Sequence, residues 1–373
     1  MKVFERVIGL LAFLNVTLSV TASAATLKSV KVGVSEALAV LDSSSSQVYR
    51  KSLESALTYA TAQYEVSASK CGYKFEIETS YFDNSDKLAS RTSALQLEQS
   101  GSWIIFGPRR SDQFFHASQV LSSTPFVSPM AGSQAVTSLQ PPYFTMYPSV
   151  DVLAKIAIKA VLDKKIGNRF ASFVDGTCAA CKDFQESFRR QAEGRLVEMF
   201  SFDGAGDSPD LVQLSGALAR SKVDFLLLPN YSKFSGYTIS KLQAQYPNLK
   251  VVGSDGWGDG QFGFLESFGI LPSVAGISVR GGAPAETMAS LYGVRLQDLE
   301  IHGQRSSPHF VAYATVDFFR GLTRDLCAAR PRNKAEFLAF LSKQKPTHFR
   351  SRYGVGVYEL RNSQLTFSHS EKL

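Results

Sequence analysis

Beyond Val20 the sequence has no apolar run approaching the ~20 residues that a membrane-spanning helix requires, so an integral helical membrane protein is excluded for most of the chain. Histidine is scarce. The five in 373 residues, His116, His302, His309, His348 and His369, have no metal-ligand spacing, and no metal site is expected. There is no Gly-x-Ser-x-Gly elbow and no phosphate-binding lysine motif, and Gly256 to Gly263 is Gly-rich without the helix pattern that should follow a dinucleotide loop. Catalysis therefore has little support, and no cofactor is expected. A basic stripe is missing too. The formal charge is +7, yet Arg109-Arg110, Lys164-Lys165, Arg189-Arg190 and the cations between Arg320 and Arg352 stand apart and are not interleaved with aromatics. This reads as solvated surface and argues against nucleic acid as a partner.

At the amino terminus, Lys2 and Arg6 precede the mostly apolar Val7 to Val20 and then Ala22-Ser23-Ala24. These are the charged, apolar and small-residue parts of a secretory signal, residues 1–24, with the mature chain expected to begin near Ala25. An uncleaved anchor is the alternative, but the apolar core is short for a bilayer. No cysteine flanks the cleavage site, so no lipid anchor is expected and the product should be soluble and exported, most simply to a bacterial periplasm. The remaining roughly 350 residues suit two domains at ~100–200 residues each.

The stretch from Ser102 to Val136 organises the rest. Trp103-Ile104-Ile105-Phe106 has the content of a buried strand and Gly107-Pro108 halts it. Ser111-Asp112 then occupy the place of a helix N-cap before Phe114 and Phe115, and Phe126-Val127 begins another strand ending in the small-residue turn Ser128 to Ser133. Two strand ends thus carry loops of small, hydroxyl-bearing residues, where an open α/β sheet receives an anionic group. Locally, Ser111 reads equally well as a plain helix cap.

Around this stretch, strands and helices alternate. Strands are expected at Val30–Val34 and Phe75–Thr79. A Ser-rich loop from Asp42 to Ser46 should lead into a helix over Gln47–Ala68, and Asp83 to Asp86 should cap one running through Leu97. After Pro148 the rhythm restarts, with helices Val150–Asp163, Cys181–Ala192, Ser208–Ser221 and Ser235–Gln245 and strands Phe170–Val174, Leu196–Phe202, Phe225–Pro229 and Lys250–Gly253. Helices His309–Cys327 and Lys334–Lys343 and two short strands within Tyr353–Phe367 close the chain. The expected class is α/β, with two doubly wound parallel-sheet lobes.

In order and spacing the chain resembles the type I periplasmic-binding-protein family, in particular the leucine/isoleucine/valine-binding receptors of ABC importers. The resemblance rests on Gly107-Pro108 with Ser111, Phe126-Val127-Ser128-Pro129, Tyr143-Phe144, Arg169 to Asp175, Val223-Asp224-Phe225, Tyr231, Val252 to Gly256 and the Gly354 to Phe367 hairpin. It implies lobe I over 25–148, lobe II over 149–277, a return to lobe I over 278–345, and a hinge crossover with a hairpin on lobe II over 346–373, the lobes being joined by a multi-strand hinge. It also implies that Ser111, the Met130 backbone and either Gly132 or Ser133 hold an α-carboxylate, while Tyr231 and Asp255 hold the ammonium group. A zwitterion leaving water needs just such donors and acceptors. Asp255 before Gly256 also fits a simple turn. Relatives often place a hydroxyl where this chain has Gly132, so that contact passes to Ser133 or is absent.

Arg109 and Arg110 either select a second acidic group or are surface charges, and Trp257 either walls the pocket or packs between lobes. The implied partners are an amino-acid-like ligand and an inner-membrane ABC permease, or, in a sensing or envelope-regulatory module of the same fold, a sensor protein. An even number of cysteines in an exported chain favours disulfides. Cys178-Ala179-Ala180-Cys181 is either a local disulfide or a thiol-oxidoreductase motif, and Cys71 and Cys327, both in lobe I by helix order, are expected to pair.

Overall fold

The computed structural model describes residues 26–38, 44–83, 86, 88–203, 211–258, 268–282, 285–299, 306–352, 354–362 and 364–372. The expected signal segment, the start of the Ser-rich loop at Asp42, part of the Asp83 to Asp86 cap, the helix start at Ser208, most of Gly256 to Gly263, and Tyr353 lie outside them. Among the described residues no helix is long and apolar enough to cross a membrane.

The first lobe is a parallel sheet in the order β2-β1-β3-β4-β5, from β1 (Lys28–Leu38), β2 (Tyr73–Asp83), β3 (Ile104–Phe106), β4 (Phe126–Ser128) and β5 (Tyr143–Thr145). Strands β3 and β4 are buried throughout, which is why their sequences IIF and FVS carry no charge. Helices α1 (Ser44–Ser69), α2 (Ala89–Gln99), α3 (Ser111–Ser118) and α4 (Gln134–Thr137) connect the strands. Asp86 accepts the N–H groups of Leu88 and Ala89, anchoring the approach to α2.

The second lobe holds α5 (Val150–Asp163), β6 (Phe170–Asp175), α6 (Ala179–Gln191), β7 (Leu196–Phe202), α7 (Val212–Arg220), β8 (Phe225–Leu228), α8 (Ser232–Leu242), β9 (Lys250–Gly253) and β10 (Ala275–Gly281). Its sheet, ordered β12-β11-β10-β9-β8-β6-β7, is parallel from β7 to β10. An antiparallel hairpin of β11 (Val355–Arg361) and β12 (Gln364–Glu371) extends it, so the sheet is mixed. Strand β10 and helix α9 (Ala285–Tyr292) have no counterpart in the sequence reading. The β10 sequence AGISVRG hides its strand character behind two glycines and an arginine.

Helices α10 (Ser306–Ala329) and α11 (Lys334–Leu341) return to the first sheet. There Phe319 meets Phe75 edge-on at 5.3 Å, Phe318 lies 4.7 Å from Phe106, and Phe337 packs against Trp103. The chain therefore crosses between lobes after β5, after β10 and before β11. These crossings are bonded to one another: the Ser351 N–H reaches the Met146 carbonyl at 3.2 Å and the Gly282 N–H reaches that of Gly354 at 3.0 Å. The second crossing begins after Gly281, four residues beyond Ile277, because β10 stays paired to β11 up to that point.

A disulfide joins Cys71 to Cys327 across a sequence separation of 256, tying the end of α1 to α10. Closing so long a loop removes much of the unfolded chain's freedom, so replacing both residues by serine should cost about 2–5 kcal/mol. Urea unfolding of the oxidised protein and the double variant measures this; an unchanged midpoint would mean that α1–α10 packing alone fixes the geometry.

Candidate functional site

In the first lobe the site begins with the turn after β3. Gly107 has φ +89°, and a Cβ there would stand 2.1 Å from the Ser35 carbonyl oxygen, so the turn requires glycine. Arg110, with φ −84° and ψ 138°, takes the N-cap position of α3. The expectation that Ser111 caps this helix is corrected by one residue: Ser111 opens α3, which frees its side chain for the neighbouring loop. Its Oγ accepts the N–H groups of Gly132 and Ser133, each at 3.2 Å. Ser128 holds the same loop, donating to the Pro108 carbonyl at 2.7 Å and accepting from Ala131 at 3.0 Å and Met130 at 3.3 Å. Gly132 and Ser133 thus stand behind Ser111, and Ser133 is buried at the N-cap of α4.

Neither arginine in this turn is a plain surface charge. Arg109 is buried, lies 3.5 Å from Glu36 Oε1, donates to the Ala37 carbonyl, and stacks 4.1 Å over the Tyr49 ring. Burial pushes the Glu36 carboxyl upward, with Arg109 and the Ala37 N–H opposing. Arg110 forks Asp112 at 3.3 and 3.4 Å. Burial would lower the Arg110 guanidinium, but Tyr231 from the second lobe and Asp112 outweigh it and raise it.

In the second lobe, buried side chains stitch the strand ends together. Asn230 donates to the Phe173 carbonyl at 2.9 Å and accepts from the Asp175 N–H at 2.7 Å, Ser254 donates to Pro229, and Ser278 donates to Ser254. On that frame Tyr231 sits at the N-cap of α8 and Asp255 opens a 3-10 turn, Asp255–Gly258. The Tyr147 hydroxyl, at the first crossing, accepts the Gly281 N–H at 2.8 Å and donates to Asp255. Burial first, then the Asp255 charge, pushes the Tyr147 phenol well up, keeping it a donor. Trp257 belongs neither to a pocket wall nor to an interlobe surface. It is fully buried in the lobe II core, its indole N–H shared between the Leu228 carbonyl and Ser235 Oγ, both at 2.9 Å. Gly253 makes room for it, since a Cβ there would lie 2.1 Å from the indole.

Between the lobes is a cleft of about 730 Å³, part of it open to solvent. The first lobe contributes Arg109, Arg110, Ser111, Asp112 and Met130; the second contributes Tyr231, Asp255, Gly256 and the segment Thr177–Ala180. All follow strands at their carboxyl ends, and β3, β6 and β8 flank the points where the strand order reverses. The sequence reading missed Thr177–Ala180 as a wall of the cleft; the signal available was its position directly after a strand, which the cysteine motif overshadowed. At the rim, Asp183 of α6 accepts the Gln134 N–H of α4 at 2.9 Å, so the lobes touch there.

The upward push on Glu36 has a definite sign. A carboxyl that holds its proton more tightly in the folded than in the unfolded chain takes stability away as pH rises above its ordinary 4.5. The unfolding free energy of the wild type relative to Glu36→Gln should accordingly fall from pH 4.5 toward neutrality, read from urea unfolding across that range. A rise with pH would mean that Arg109 outweighs desolvation.

Comparison with protein-family models and with curated proteins gave no match. Solved structures do match. The substrate-binding protein LivJ of a branched-chain amino acid transporter from Streptococcus pneumoniae, in complex with isoleucine, superposes with TM-score 0.69 at 17% identity over 93% of this chain and 100% of that one. A solute-binding protein of an ABC transporter from R. palustris, in complex with 4-hydroxybenzoate, gives 0.65 at 15% identity over 92% and 96%. A type 1 periplasmic binding protein from Bordetella pertussis gives 0.67 at 14% identity over 93% and 100%. With the sheet order and the paired lobes, these superpositions establish that the chain has the type I periplasmic-binding-protein fold.

Proposed function

We propose that the protein is an extracytoplasmic solute-binding protein that takes a small polar ligand, an amino acid or related carboxylate, between its lobes and presents it to an ABC importer. One observation carries this reading: Ser111 and Asp255, on opposite lobes, line the same cleft. Ser111 Oγ has both lone pairs engaged by amides, so its own O–H is left to donate to a carboxylate, strengthened by the two N–H groups behind it. Met130 and Tyr231 line the same cleft, and Asp255 offers an anion to an ammonium group. The two ligands named for the similar proteins, isoleucine and 4-hydroxybenzoate, share a carboxylate and differ at the other end. Here the cleft has Met130, Ala179 and Ala180 among its lining and Arg110 beside them, which suits a ligand with a small or acidic side chain over a bulky aliphatic one.

Thermal unfolding in the presence of amino acids, dicarboxylates and aromatic carboxylates tests the reading. A ligand at a hundred times its Kd should stabilise the folded state by about 2.7 kcal/mol. Asp255→Asn should abolish the shift for amino acids and spare carboxylates without an ammonium group, while Ser111→Ala should weaken both. A wild type indifferent to the whole panel, or both variants responding as the wild type does, would sink it.

A further inference from the structure

The Cys178–Cys181 disulfide is not placed as a purely structural link would be. Cys178 is half-exposed and lines the cleft at the N-cap of α6, whereas Cys181 is 5% exposed and belongs to the buried face of the helix. The Cys181 N–H already points at Cys178 Sγ, at 3.2 Å. A thiolate at that sulfur would receive a stronger bond from the same amide, in a cavity that Arg109 and Arg110 line together with Asp112 and Asp255.

The two disulfides also differ in what the fold invests in them. Cys71–Cys327 closes a sequence separation of 256 and Cys178–Cys181 one of 3. By linkage, a bond that stabilises the fold greatly is itself held greatly by the fold, and loop-closure entropy grows with loop length. The short bond is therefore held far less tightly, and the Cys181 N–H already aimed at Cys178 Sγ is placed to hold the ionised product.

We propose that Cys178 is a thiol-exchange site on the cleft wall, reducible in the folded protein by an external dithiol. A thiolate of the dithiol attacks Cys178 Sγ and forms a mixed disulfide. The Cys178–Cys181 bond breaks, and Cys181 leaves as a thiolate and takes up a proton. The second thiol of the reductant then attacks its own sulfur in the mixed disulfide and releases Cys178 as a thiolate, the reductant ending as a cyclic disulfide. Two electrons enter the pair. The product carries an anion on the cleft wall and loses the staple across the first turn of α6, the helix whose Asp183 reaches the first lobe.

The exchange chemistry is measured without ligand, so it stands or falls separately from the solute-binding reading. Oxidised protein is equilibrated with graded dithiothreitol, quenched in acid, alkylated and mapped by peptide mass spectrometry. Cys178 and Cys181 should become alkylatable at dithiol concentrations at least tenfold below those needed for Cys71 and Cys327, with the thermal transition still present. In a second arm, Cys181→Ser incubated with oxidised glutathione should gain one glutathionyl group at Cys178 and release one glutathione. Reduction of both pairs at the same concentration, or reduction only once the protein unfolds, overturns the proposal. So does a folded Cys181→Ser variant in which Cys178 stays unmodified.

Discussion

Two sheets whose parallel strands turn their carboxyl ends toward one another leave backbone carbonyl and N–H groups at the strand ends with no partner in the sheets themselves, and much of this molecule is arranged to satisfy them. Left dry and unpaired, each such group would cost about 1–3 kcal/mol. The solution is a set of short buried side chains, each reaching from one strand end to the next: Ser128 to Pro108, Asn230 to Phe173 and Asp175, Ser254 to Pro229, Ser278 to Ser254. Because these bonds lie between neighbouring strands and not toward the cleft, they fix the loops that carry Ser111, Tyr231 and Asp255 without occupying the space in front of them.

The same constraint explains which charges are free to act. Arg109 looks outward in sequence but is packed against Glu36, the Ala37 carbonyl and the Tyr49 ring, so it forms part of the cleft floor. Arg110 is half-buried, paired with Asp112 by two bonds of 3.3 and 3.4 Å and facing Tyr231 of the second lobe, and bonds of that length leave it loosely held. Two adjacent arginines therefore sit in different settings: one is packed into the fold, and the other stands half-buried at the cleft beside Asp112 and Tyr231.

How far this was legible in the sequence depends on the range of the interaction. Helix α5 and strands β7 and β9 begin and end where apolar periodicity placed them, because local pattern and tertiary burial agree there. Ser111 was legible as a residue near a strand end but not as an acceptor for Gly132 and Ser133, since that pairing is made across a turn that brings two strands' loops side by side. Trp257 misled for a related reason. Whether an indole after Ser-Asp-Gly faces a cleft or a core is decided by the slot over Gly253, which becomes visible only when β9 is placed under the 3-10 turn. The mixed hairpin edge follows the expected tail, whereas β10, with glycines at both ends of its pairing, carries almost no strand signal of its own.

The Tyr147 hydroxyl joins these themes. It sits on the first crossing between lobes, receives the N–H of Gly281 at the start of the second crossing, and donates to Asp255 on the cleft wall. Any relative rotation of the lobes is absorbed by the crossings, so it moves Tyr147 with respect to Gly281 or Asp255 or both. The orientation of the Asp255 carboxylate on the cleft wall and the backbone geometry of the connection are thereby parts of one hydrogen-bonded chain. A cation that engages Asp255 draws negative charge away from the Tyr147 hydroxyl and weakens that bond. Under the proposed solute-binding role, that bond would link an ammonium group at Asp255 to the segment between the lobes.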